Sequence, residues 1–126
     1  MEAVNEAGTL LKEYRVKRIV GDRWGGEFVR EPFRQLFGID YRLSELSKNE
    51  IYIESLPRLN CGTIRLLDIE RLKNQLAGLE RTHGRTGRDI IDSPPRGNDD
   101  LSNCVMGLCT VAAVDNRIIK GTYKCF

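Results

Sequence analysis

The sequence predicts an α/β domain, a layered sheet with helices on both faces. Three observations carry this. Ala3, Ala7, Leu10, Leu11 and Tyr14 share one helical stripe, at i, i+4, i+7, i+8 and i+11. "VKRIVGD", residues 16 to 22, follows at once as a short β-branched run of strand character. Helical period and short β run then keep alternating along the chain. Such alternation buries its apolar faces best in an α/β stack with parallel crossovers, not in a bundle.

Each element has its own signal. Helix one begins at residue 3, and the strand after it is ended by Gly21 and Asp22. After a turn at Gly25-Gly26, Val29, Phe33, Leu36 and Phe37 mark a second helix, with Pro32 expected in its first turn and Gly38 as its stop. "IDYRL", residues 39 to 43, alternates as a strand. Ser47 and Glu50 form a capping box, after which Tyr52, Leu56 and Leu59 continue a helical face that Pro57 should kink or shorten. "TIRLL", residues 63 to 67, reads as a third strand, and Asp68 as the cap of a helix with the stripe Ile69, Leu72, Leu76 and Leu79. The polar stretch 81 to 98 reads as a loop. A last helix starts near Asn98 or Asp99 and carries Leu101, Cys104, Val105, Leu108 and Ala112. The tail from residue 115 has no clear pattern and reads as a weak strand or a frayed end, so the expected domain is 1–114 with a divergent tail 115–126. There is no internal repeat.

Bulk properties narrow the classes. A chain of 126 residues is one domain or part of one. Twenty Lys and Arg against eighteen Asp and Glu leave a net charge of +2, which by itself argues for no partner. No stretch approaches the ~20 apolar residues of a membrane span, and "MEAVNEAG" lacks the order of a signal peptide, so the reading is a soluble, non-secreted protein. Cys61, Cys104, Cys109 and Cys125 make no C-x-x-C pair, and with one histidine in the chain a zinc site is poorly supplied. They read as reduced structural thiols, behaving as small buried hydrophobes.

The carboxylates raise the functional question. In parallel α/β sheets, ligands collect at the carboxyl ends of strands, where Asp22 stands, and Asp99 and Asp100 occupy a helix start that could meet the same crevice. Clustered carboxylates repel, and a hard divalent cation such as Mg²⁺ or Mn²⁺ would hold them together. Local roles explain each acid equally well. An Asp after a strand forms turns, and Asn-Asp-Asp ahead of an apolar run caps a helix. Spacing leaves both open.

The pieces "GDRWGGE", "LSKNEIY" with "LPRLNCG", "LLD" with "QLAGLER", and "GRDIID" with "GNDD" occur in this order between helix one and about residue 113. Together they resemble the C-terminal nuclease domain of the large terminase subunit of tailed phages, a member of the ribonuclease-H-like superfamily. The resemblance implies a nuclease of the DNA-packaging machinery, located in the cytoplasm of a bacterial host, that cuts double-stranded DNA with two divalent metals, Mg²⁺ or Mn²⁺, on three acidic positions. Asp22 matches the second position, and Asp99 with Asp100 the third. The first lies in the family on an opening strand ahead of helix one, so the likeness is to a domain lacking its first strands and one catalytic ligand. Asn98 stands where family members often have His. A non-catalytic prophage remnant, acting as an oligomeric or DNA-binding module, is the alternative.

The same resemblance makes residues 16–21 a sheet edge with unpaired backbone groups, and the expected consequence is a homodimer through that edge. Arg81, Arg85, Arg88 and Arg96 crowd the loop leading to the acids, which by itself reads equally as a solvated surface loop or as a phosphate contact; the resemblance implies contact with DNA phosphates, without base specificity. "RVKR", residues 15 to 18, reads as a charged helix-to-strand turn. His83 reads as a surface residue and Trp24 as buried against helix two. No G-x-S-x-G or Walker sequence is present, which excludes triad hydrolases and nucleotide motors.

Overall fold

The computed structural model describes residues 1–21 and 26–118, which are mixed α/β. The order is α1 (Glu2–Glu13), β1 (Arg18–Gly21), α2 (Gly26–Phe37), β2 (Asp40–Leu43), α3 (Lys48–Asn60), α4 (Glu70–Ala77), β3 (Glu80–His83), β4 (Asp89–Asp92) and α5 (Asp100–Ile118). The chain divides into two compact units, Met1–Ser47 and Lys48–Phe126.

In the first unit β1 and β2 pair in parallel, with Arg18 opposite Asp40 and Gly21 opposite Leu43. The expected crossover through α2 is therefore present. Val4, Phe33 and Ile39 form the core, lined by Ala7, Leu11, Ile19, Val29, Phe37 and Tyr41. Phe33 stacks on Tyr41 with ring centroids 5.8 Å apart. The buried face of α1 is rotated from the expected stripe. It runs through Val4, Ala7, Gly8 and Leu11, whereas Leu10 and Tyr14 are exposed. Gly8 is the reason: a Cβ there would lie 2.4 Å from the Phe37 ring, so only glycine lets α1 approach α2 this closely.

Pro32 lies inside α2 and not in its first turn. Gly38, at φ +65°, stops that helix as expected, with its N–H donating to the Arg34 carbonyl at 3.0 Å. The end of α1 uses the same left-handed device without glycine. Arg15 has φ +56°, its N–H donates to the Lys12 carbonyl at 2.9 Å, and the Val16 N–H to the Leu11 carbonyl at 2.9 Å.

In the second unit α3 and α4 pack on α5, and β4 packs on α3. Ile51, Tyr52, Leu72, Ile91 and Met106 are buried together with the polar Ser55, Gln75, Ser102 and Thr110. The face that α5 buries is thus Ser102, Met106 and Thr110, and not the expected apolar stripe, whose Cys104 and Leu108 are exposed. Its hydroxyls are buried because each has a partner, Thr110 donating to the Gly107 carbonyl at 2.7 Å.

Three further expectations fail. "TIRLL" forms no strand: Ile64 and Leu66 are half-buried, but among the described residues no neighbouring strand offers a ladder. Asp68 does not cap α4. The helix starts after Ile69 with no side-chain cap, and Asp68 pairs with Lys73 at 2.8 Å. The stretch 81 to 98 is no loop throughout, because β3 and β4 form an antiparallel hairpin with His83 opposite Asp89. Gly87, at φ +75°, closes the turn, and Gly84 and Arg88 pair across it at 2.8 Å.

Pro57 sits inside α3 without ending it, since the helix runs on to Asn60 before Gly62, φ +71°, stops it. The helix α5 runs past residue 114 to Ile118, so the start of the expected tail is helical. Asp22, Trp24, Gly25, Cys125 and the rest of the tail lie outside the described residues. Cys61 and Cys104 are free but exposed, contrary to the buried role expected of them. No helix among the described residues is long and apolar enough to cross a membrane.

Arg15 holds a backbone conformation that costs an L-residue energy and glycine little. Arg15→Gly is expected to raise unfolding free energy by about 0.5–1 kcal/mol after the entropy glycine adds to the unfolded chain. The urea midpoint reads it.

Candidate functional site at the amino end of helix α5

The site is assembled by the start of α3, the end of β4 and the start of α5. Asn49, in the first turn of α3, behaves as a short piece of strand. Its Nδ2 donates to the Asp89 carbonyl at 3.0 Å, and its Oδ1 accepts from the Ile91 N–H at 2.8 Å. This occupies the open edge of β4 and fixes α3 against it. Lys48 and Tyr52 then lie one turn apart on one face of α3. Tyr52 is fully buried, and its hydroxyl meets Ser102 Oγ at 2.9 Å. Ser102 Oγ in turn donates to the Asp99 carbonyl at 3.0 Å.

With Tyr52 seated on Ser102, Lys48 falls beside the residue just before α5. The Lys48 ammonium lies 2.5 Å from Asp92 Oδ1 and 2.5 Å from Asp99 Oδ2. Asp99 is mostly buried, with 17% of its side chain exposed, and its solvent-sealed Oδ2 is the atom that meets the Lys48 ammonium. Its compensation is the ammonium charge. Burial pulls the Lys48 pKa down, but hydrogen bonds and charge from Asp92 and Asp99 outweigh it and leave the group above the ordinary lysine value. Asp92 is held below the ordinary aspartate value, first by the Lys48 hydrogen bond and then by the Ser93 N–H.

Asp100 is adjacent to Asp99 and does something else. Its Oδ1 accepts from Gln75 Nε2 at 2.8 Å, and Arg71 donates to both its oxygens, at 2.9 and 2.6 Å. The Gln75 hydrogen bond, ahead of Arg71, lowers its pKa. Gln75 also accepts the Ser102 N–H on Oε1 at 2.8 Å, so this α4 side chain caps α5 from outside. The pair read from sequence as one acidic position is therefore split between two sets of partners.

Hard oxygen donors for a divalent cation are present in Asp92 and Asp99, with Lys48 between them. Among the described residues no group of three or more His, Cys, Asp or Glu side chains is placed to hold a metal. The arginines divide as well. Arg81 is tied to Asp89 across the hairpin, and the same carboxylate holds His83 Nδ1 at 2.6 Å, so this surface histidine has an acid partner that its spacing in the chain does not reveal. Arg81, ahead of His83, keeps Asp89 below the ordinary aspartate value. Arg85 and Arg88 lie in the hairpin turn, at the end of β4 opposite Asp92, and Arg96 lies between Asp92 and Asp99 in the chain. All three are exposed and, among the described residues, make no ion pair. Arg96 occupies the third place of a Pro94–Gly97 turn at φ +70°, a slot that ordinarily takes Gly or Asn.

Comparison with protein families, curated proteins and solved structures returned no match. The chemistry of the site therefore rests on its own residues. Lys48, Asp92, Gln75 and Arg71 were not singled out from sequence. Lys48, Gln75 and Asp92 do lie within the pieces "LSKNEIY", "QLAGLER" and "GRDIID".

Gln75→Leu keeps the volume but strands the buried Ser102 N–H, and is expected to cost about 1–3 kcal/mol in a denaturant titration. Asp92 and Asp100 have depressed folded pKa values, so their contribution is complete above the unfolded value and is lost as pH falls through the folded one. The melting temperature is expected to drop as pH falls below about 4. Asp92→Asn should flatten that drop.

Proposed function

We propose that the chain belongs to a divalent-cation-dependent nuclease domain of the phage terminase type, with a ribonuclease-H-like fold, acting on double-stranded DNA. One observation carries this reading: a largely buried carboxylate, Asp99, at the matched third acidic position, faces a second carboxylate across the place of one cation. Asp99, and not Asp100, is then the metal-holding member of the pair, because Asp100 is already committed to Arg71 and Gln75. Asp92 joins it as a donor the resemblance did not supply, and Asp22 remains assigned by resemblance alone. Bound Mg²⁺ or Mn²⁺ would supply Lewis acidity and an activated water for phosphodiester hydrolysis. The chain's own residues position the scissile phosphate. Arg85, Arg88 and Arg96, which pair with no carboxylate among the described residues, are assigned to the DNA backbone.

A second reading has one observation in its favour. Lys48 already neutralises Asp92 and Asp99, as an ion pair in a non-catalytic DNA-binding or oligomeric module would. In either case the edge of β1 away from β2 is assigned to a second copy of the chain, since β1 pairs only with β2 among the described residues.

Supercoiled plasmid with Mn²⁺ separates the two. The nuclease reading expects nicking that disappears in Asp99→Asn and Asp22→Asn and persists in Asp100→Asn. No nicking by the wild type leaves the binding module. Replacing Arg85, Arg88 and Arg96 with Ala should weaken DNA binding alike on all sequences, and each phosphate-binding charge removed should lower the log–log salt slope by about 1.

A further inference from the structure

We propose that the tip of the β3–β4 hairpin is a phosphate-binding site in which Asp89 aims His83, so that the protonated imidazole joins Arg85 and Arg88 on one stretch of DNA backbone. This deepens the assignment of Arg85 and Arg88 to DNA and rests on it. His83 ends β3 and stands opposite Asp89, the first residue of β4, and the turn between them carries both arginines. The turn is tight. The Gly84 N–H donates to the Arg88 carbonyl at 2.8 Å, and a Cβ on Gly84 would lie 3.0 Å from that carbonyl, so the basic side chains are gathered at one end of a short ladder.

The charges of the tip do not cancel. Asp89 is the one carboxylate between residues 81 and 89, and Arg81 already neutralises it, holding it below the ordinary aspartate value ahead of His83. Arg85 and Arg88 are exposed and, among the described residues, make no ion pair. The tip therefore carries +2 with a neutral imidazole and +3 with a protonated one. From the packed helix α3, the side chain bonded at this end of β4 is the uncharged Asn49, on the Asp89 carbonyl.

Asp89 decides which ring nitrogen is left for a ligand. Its Oδ1 takes His83 Nδ1 at 2.6 Å, and the imidazole is otherwise 86% exposed, so Nε2 is the nitrogen that remains. On a neutral ring with its proton on Nδ1, Nε2 is an acceptor and offers a phosphate oxygen nothing. Protonation makes it a charged donor beside two arginines, and a phosphate between them offsets the repulsion of the three cations. Asp89 is thus a positioning residue and His83 a phosphate contact. His83 is the only histidine of the chain, so proton uptake on DNA binding between about pH 5.5 and pH 7.5 reports this residue.

The test is the affinity for a short DNA duplex, at constant salt, across that range for wild type, His83→Gln and Asp89→Asn. Wild type is expected to bind about three- to tenfold tighter at the acid end than at the neutral end. His83→Gln should match wild type at the neutral end and show no such step, and Asp89→Asn should lose most of the step whatever its overall affinity. In wild type, the NMR titration of the imidazole should move to higher pH when duplex is added. Equal pH profiles of wild type and His83→Gln overturn the proposal, as does an imidazole that titrates alike with and without DNA, and a full step in Asp89→Asn overturns the positioning role of Asp89. Plasmid nicking is scored apart. The pH step in a protein that never cleaves sustains the hairpin site and sinks the nuclease reading, whereas cleavage by a protein without the step sinks only the hairpin site.

Discussion

Tyr52 is fully buried, and a phenol taken out of water must find a hydrogen-bond partner or cost the unit about 1–3 kcal/mol. Ser102 provides the partner, and the larger unit is arranged around that requirement. Burial raises the Tyr52 pKa, with the Ser102 hydrogen bond opposing it, so the phenol stays neutral in its apolar seat. Ser102 is also where α4 reaches in, because Gln75 accepts its backbone N–H. Three helices thus meet at Ser102, whose hydroxyl takes Tyr52 of α3 and whose N–H takes Gln75 of α4, and the amino end of α5 is held from two directions.

The position of the charges follows from this. Lys48 is one helical turn before Tyr52, and Asp99 is three residues before Ser102, so joining Tyr52 to Ser102 brings the ammonium to the carboxylate. The amino end of a helix carries positive partial charge, which favours both Asp99 and Asp100 there. Two adjacent carboxylates at such a place still repel. The unit resolves this by giving each its own cation, Lys48 for one and Arg71 for the other. A site built this way is held together by its salt bridges. The same geometry underlies both readings of function.

The smaller unit obeys a different constraint. Its parallel pair β1–β2 is short and needs cover, and the aromatic side chains of Phe33, Phe37 and Tyr41 supply it. Close approach of α1 to α2 then depends on the missing side chain at Gly8. Parallel strands are ordinarily buried on both faces and edges, so a lone parallel pair is an incomplete sheet by the usual physics of the class. Among the described residues, the outer edges of β1 and β2 alike have no ladder partner.

Local sequence was enough to place α1, β1, α2, β2, α3, α4 and α5, the parallel crossover between the first two strands, and two acids at a helix start. These are set by period, β-branched runs and stop signals within a few residues of each element. Tertiary structure decided the rest. Which face of α5 is buried depended on Ser102, a polar residue that enters the core only because Tyr52, fifty positions away, meets its hydroxyl. Whether "TIRLL" became a strand depended on a ladder partner that no local pattern can supply. The arginine-rich stretch became a hairpin through Asn49, forty residues upstream on another element, which satisfies the backbone of β4. The division of Asp99 from Asp100 was invisible for the same reason: neighbouring aspartates are alike in sequence, and only their distant partners, Lys48 and Arg71, make them different.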